Sequence, residues 1–134
     1  MRDTVMTKAK KLMRGKYAYA GSVGEGGEPN IKALFIDERE GSNIFYFASN
    51  ISSLRVNQYK KNPQACLYFP SGKKIYEGVM LQGRMDILDD CAAKKKILRS
   101  ASVRCKPDAC VLRFTADSGR FYGWFETRNF DFGY

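Results

Sequence analysis

The stretch I-F-Y-F-A-S-N-I-S-S-L-R-V-N-Q-Y-K-K-N-P-Q-A-C-L-Y-F, residues 44–69, reads as strand, polar turn, short helix and strand. Ile44, Phe45, Tyr46 and Phe47 form an aromatic and β-branched run too apolar for a solvent-washed edge, which predicts a buried strand. Ala48, Ser49 and Asn50 end it. Ser52 or Ser53 caps a helix running to Lys61. Asn62-Pro63 stops that helix, because the residue before a proline is pushed out of the α region. A second apolar strand, Ala65 to Phe69, follows at once. The polar turn carries free helical N–H groups, two hydroxyls and Arg55, a ready place for a phosphate. By pattern alone the same residues also read as an ordinary N-cap beside a solvated arginine.

Upstream, Val5, Met6, Ala9, Leu12 and Met13 make one apolar stripe at the 3.6 period, predicting a helix from Asp3 to Arg14 capped by Asp3 or Thr4 and ended at Gly15. Tyr17 to Val23 reads as a strand with Tyr17 and Tyr19 on one face and Ala18 and Ala20 on the other. Glu25-Gly26-Gly27-Glu28 turns it, since glycine takes the positive φ that a tight hairpin demands. In the next strand, Asn30 to Ile36, Ile31, Ala33 and Phe35 face one way. Asn30, Lys32 and Leu34 face the other, leaving a lysine among apolar neighbours. Downstream, Pro70-Ser71-Gly72 is a turn, and Val79 to Leu88 alternates with a period of two. Asp89 and Asp90 cap a lysine-rich helix with Ala93 and Ile97 inward. A final hairpin pairs Cys110–Thr115 with Arg120–Phe125 across Asp117-Ser118-Gly119, and the tail from Thr127 to Tyr134 has no pattern. The expectation is a mainly β chain (α+β by count): six or seven mostly antiparallel strands closing into a barrel, with about three peripheral helices, as one domain over residues 1–134.

Composition narrows the chemistry. The chain has no histidine, which removes Ser-His-Asp and Cys-His arrangements, the H-E-x-x-H zinc site and the commonest proton shuttle near neutral pH. An enzyme of this composition leaves the hard step to a bound cofactor. Cys66, Cys91, Cys105 and Cys110 form no C-x-x-C pair, and Cys66 and Cys110 read as small core residues, so neither a metal site nor a disulfide framework is expected. A formal charge of +9 is spread over several helices and turns and not gathered in one stripe. Solvated faces account for most of it, and attraction of anionic ligands or nucleic acid for the rest. No run spans a bilayer and no secretion signal is visible, so the reading is cytoplasmic with no membrane partner.

Four segments in order carry a resemblance: G-E-P-N-I-K-A-L-F (27–35), I-F-Y-F-A-S-N-I-S-S-L-R-V (44–56), K-N-P-Q-A-C-L-Y-F (61–69) and C-V-L-R-F-T-A-D-S-G-R-F-Y (110–122). Together they resemble the pyridoxamine 5′-phosphate oxidase-like family of FMN-binding split β-barrels, in its general-stress-protein branch. The resemblance implies FMN as cofactor, a homodimer with FMN at the interface, and a small-molecule substrate. It places Lys32 where a basic residue contacts the cofactor, and the backbone of Ala33 and Leu34 along the flavin ring. It places Ser53 and Arg55 on the phosphate, with Ser49 facing the same cofactor. Many members carry two adjacent basic residues at the turn. Here Leu54 precedes Arg55, so one charge is missing. The substrate-holding C-terminal arginine and histidine of true pyridoxamine phosphate oxidases have no counterpart, and the resemblance therefore points to another FMN-dependent oxidoreductase. A flavin-binding or redox-sensing module without turnover fits the same residues. A basic nucleic-acid-binding barrel is the third reading, with Tyr17, Tyr19, Tyr46, Tyr68, Phe121, Tyr122 and Trp124 as its stacking surfaces.

Overall fold

The computed structural model describes residues 4–98 and 106–132. In order these form α1 (Thr4–Leu12), β1 (Tyr17–Val23), β2 (Pro29–Phe35), β3 (Glu38–Glu40), β4 (Ile44–Asn50), α2 (Leu54–Lys61), β5 (Gln64–Pro70), β6 (Gly78–Leu88), α3 (Cys91–Ile97), β7 (Ala109–Gly123) and β8 (Glu126–Asp131). The strands make one antiparallel sheet in the order β2-β1-β5-β6-β7-β4-β3, and β8 pairs with β7 off that path. The sheet curls into a barrel that is left open along one seam. Across the seam the chain leaving β2 is tied to β4: Asp37 N donates to Tyr46 O at 2.9 Å, and Ala48 N donates to Asp37 Oδ2 at 2.7 Å.

Residues 44–69 fold as their pattern predicts. Phe45 and Phe47 alternate into the barrel, where Phe45 meets Phe69 and Phe114 with ring centroids 5.5 and 6.4 Å apart. Burying each of these rings contributes roughly 1.5–3 kcal/mol. Tyr46 points the other way, into a smaller cluster with Ile97, Leu98, Ala109 and Val111 beneath α3. Val5, Ala9 and Met13 press the α1 stripe onto the main core. The end of α1 is held from a distance, since the Arg39 guanidinium donates to Met13 O at 3.2 Å and to Gly15 O. The predicted turns lie at Gly27 (φ 87°) and Gly72 (φ 77°).

Three expectations are corrected. Residues 38–40, where the pattern predicts no strand, form the short strand β3 paired with β4, and the tail read as unpatterned is β8. The expected final hairpin is one continuous strand of 15 residues. Gly119 is not a turn residue; a Cβ there would lie 2.5 Å from the Phe130 ring and 2.8 Å from Leu81, so the glycine makes room for β8. The chain reverses instead at Gly123–Glu126, with Phe125 at φ 51°. The Asp3 cap and Cys105 lie outside the described residues.

Candidate functional site

The turn between β4 and α2 is built from local chemistry and one distant tether. Ser53 N donates to Asn50 O at 3.0 Å, closing the turn. Ser53 is then the N-cap: its backbone is extended (φ −68°, ψ 151°) and its hydroxyl accepts from Val56 N at 3.2 Å. The alternative cap, Ser52, is engaged elsewhere. Ser52 N and Ser52 Oγ donate to the two carboxylate oxygens of Asp108 at 3.0 and 2.6 Å, and Ile51 N donates to Asp108 O at 2.7 Å. Asp108, just ahead of β7, thus fixes the turn from 56 residues away.

The body of α2 locks against β1. Tyr59 Oη donates to Gly21 O at 3.0 Å, and Ser22 Oγ donates to Gln58 Oε1 at 2.5 Å. Burial raises the Tyr59 hydroxyl to about 12, against the opposing pull of the Arg55 charge. Burial also raises the Cys66 thiol, which a hydrogen bond with the Gly21 backbone partly offsets. Among the described residues no three His, Cys, Asp or Glu side chains stand together as a metal site, and Cys66, Cys91 and Cys110 are free thiols.

Two polar atoms at this corner are without partners. Ser49 Oγ, at the end of β4, and Arg55 Nε, in the first turn of α2, are buried and make no hydrogen bond; among the described residues no other buried side-chain N or O shares that condition. A buried unsatisfied donor costs about 1–3 kcal/mol, so a fold holds one where something else completes it. A hydroxyl, a guanidinium N–H and the positive end of a helix form a donor set suited to an oxyanion. Ser53 adds to it, because a hydroxyl that accepts one bond still has its own proton to give. Leu54, where a second basic residue was expected to be missing, points into solvent.

Lys32, Ala33 and Leu34 lie on the edge strand β2, opposite Ala20, Tyr19 and Ala18 of β1. Leu34 packs on the main core, while Lys32 and Ala33 are exposed. Lys32 is therefore one strand away from the β1 segment that α2 grips through Gly21 and Ser22. An open groove of about 830 Å³ runs past Gly21, Ile31, Cys66, Gln82 and Ser118, and a second of about 670 Å³ lies beside Leu54, Asn57 and Lys61. Neither is lined by Lys32, Ser49 or Arg55. Of the aromatics considered as stacking surfaces, Tyr46 and Phe121 are buried and unavailable to a base.

A curled antiparallel sheet, open along one seam and flanked by short helices, makes this a split β-barrel protein. Residues 8–123 match the family described as Pyridoxamine 5'-phosphate oxidase, and the chain belongs to that family. Its structure is similar to a protein related to general stress protein 26 of B. subtilis, of the pyridoxinephosphate oxidase family, from Clostridium acetobutylicum. The TM-score is 0.85 at 31% identity, covering 98% of this chain and 97% of that one. A heme binding protein from Mycobacterium smegmatis is similar with a TM-score of 0.78 at 12% identity, over 98% of this chain and 59% of that one. An F420 reductase is similar with a TM-score of 0.66 at 18% identity, over 81% and 91%. These last two show the shared fold alone. No curated protein matches the chain by sequence.

Proposed function

We propose that this chain binds FMN by its phosphate at the β4–α2 corner and acts as an oxidoreductase on a small organic molecule in the cytoplasm. The observation that carries the reading is the pair of unpartnered buried atoms, Ser49 Oγ and Arg55 Nε. Both are residues that the family resemblance assigns to the cofactor, and both are donors of the kind a phosphate dianion needs. Arg55 and the hydroxyls of Ser49 and Ser53 hold the phosphate, and Lys32 adds a second positive charge from the edge strand. The backbone of Ala33 and Leu34 lies along the ring. Bound FMN supplies hydride chemistry, for which the absence of histidine is no obstacle.

The cradle is shared between two copies in this proposal. On the outer face of β1 and β2, Ile31 is 72% exposed and Phe35 76%, with Tyr17 and Tyr19 beside them in register. An apolar face of this kind on a soluble fold marks an interface. A second copy covering it would turn the open corner into an enclosed site. The test is titration of the purified chain with FMN, followed by absorbance, fluorescence and the molar mass in solution. A perturbed flavin spectrum at micromolar concentration, carried by a species of twice the chain mass, is the expected result. An unaltered spectrum removes the reading. Reduction of the bound flavin by a nicotinamide cofactor, and reoxidation by added acceptors, then separates an enzyme from a module that holds flavin without turnover.

A further inference from the structure

At one end of the sheet, two neighbouring connections carry an apolar tip that neither the core nor the β4–α2 corner uses. The β5–β6 connection contributes Ile75 and Tyr76, and the β7–β8 turn contributes Trp124 and Phe125. Ile75 is 99% exposed, Phe125 92% and Trp124 66%. The rings are stacked edge to face, with centroids 4.9 Å apart for Tyr76 and Trp124 and 4.5 Å for Trp124 and Phe125. Such exposure means that the tip protrudes. It lines neither of the two grooves described above, and a rigid protein partner would have to bring a pocket to it.

The support beneath the tip is ordered. Ser71 N donates to Glu77 O at 3.0 Å, Glu77 N donates to Lys74 O at 3.0 Å, and Ser71 Oγ accepts from both Lys73 N and Lys74 N at 3.3 Å. Phe125 is held at φ 51°, a conformation that costs a side-chain-bearing residue roughly 1–2 kcal/mol. Two lysines, Lys73 and Lys74, immediately precede Ile75. The acidic groups nearby are Glu77 and Glu126, and Glu126 is paired with Arg128 at 3.6 Å. The local balance is positive, on a chain of formal charge +9.

We propose that the Ile75–Tyr76–Trp124–Phe125 tip docks this protein onto the surface of an anionic lipid bilayer. Ile75 and Phe125 enter the acyl boundary, Tyr76 and Trp124 lie at headgroup level, and Lys73 and Lys74 meet anionic headgroups. Lying on a surface needs none of the length that spanning requires, so the absence of a long apolar run does not oppose it. A soft bilayer accepts a protruding tip without a complementary pocket, and the two lysines select its charge.

Trp124 is the single tryptophan, so intrinsic fluorescence reports the tip directly. Adding vesicles of phosphatidylcholine with phosphatidylglycerol should move the emission to shorter wavelength and carry the protein with the vesicles on flotation. Vesicles of phosphatidylcholine alone should bind about thirtyfold more weakly, as expected for two lysines at a charged surface. The double variant I75S/F125N keeps Trp124, changes two solvent-exposed positions and should lose about tenfold or more in partitioning at unchanged circular dichroism. Emission indifferent to anionic vesicles would overturn the proposal, as would equal partitioning of the double variant. It also fails if Trp124 emission is already at short wavelength in the free protein and shifts back on dilution, because a second copy would then cover the tip.

Discussion

Replacing Arg55 by methionine separates the proposed binding role from a structural one by the sign of two effects. Methionine keeps a long, flexible stem and removes the guanidinium. In the ligand-free chain Arg55 Nε is buried with no acceptor, so the substitution removes a penalty. The general cost of such an atom is about 1–3 kcal/mol, and since the rest of the Arg55 side chain is only half-buried, the lower end applies. Stability without FMN should therefore hold or rise by about 1 kcal/mol. Binding should move the other way. A hydrogen bond from a charged donor contributes about 1.5–3 kcal/mol, and about 1.4 kcal/mol is tenfold, so FMN should bind roughly ten- to a hundredfold more weakly. Urea denaturation of the flavin-free protein gives the first quantity, and quenching of FMN fluorescence gives the second. Unchanged affinity would move the phosphate away from this corner. A fall in affinity matched by a fall in flavin-free stability would make Arg55 a structural residue.

Two further outcomes follow from the packing of α2 and β6. Because burial raises the Tyr59 hydroxyl from 10.0 to about 12, the folded chain keeps a proton that the unfolded chain releases. The associated stability is fully present below pH 10 and is lost as the pH rises from 10 to about 12, by roughly 3 kcal/mol, read from urea denaturation across that window. Tyr59→Phe should flatten that fall while costing about 1 kcal/mol at neutral pH through the lost bond to Gly21 O; an alkaline fall that persists in the variant would assign it to other groups. At Gly83 a Cβ would lie 1.9 Å from Thr115 O, a backbone atom, at the irregular register between β6 and β7. Gly83→Ala should therefore destabilise by about 3 kcal/mol in urea denaturation, and a loss below about 1 kcal/mol would show that the bulge can shift.

Local signals carried most of what the sequence made legible. The Asn62-Pro63 stop, the serine cap, the turn glycines and the two-residue alternation of β6 all depend on near neighbours, and the elements they mark stand where they were expected. Gly119 misled because a glycine needed for close packing looks, in sequence, like one needed for a turn. β8 was hidden because Phe130 and Phe132 gain their meaning only from the core they pack against. The same divide runs through the site. Ser53 and Arg55 were visible as a cap and a following cation, whereas the Asp108 tether and the Ser22–Gln58 bond join residues 56 and 36 positions apart. Burial of Arg55 Nε is a property of the packed corner and leaves no trace in residue type.

The long strand β7 lies between β6 and β4 and also carries β8, yet it is made after both β4 and β6. During synthesis those two strands leave the ribosome with facing edges unsatisfied and nothing to join them. β2, β1, β5 and β6 can pair in turn, but β4 and β3 join that half of the sheet only through a central stave that arrives late. Any pause in translation before Ala109 prolongs the interval in which two apolar edges are open to a chaperone, or to each other's copies on neighbouring chains.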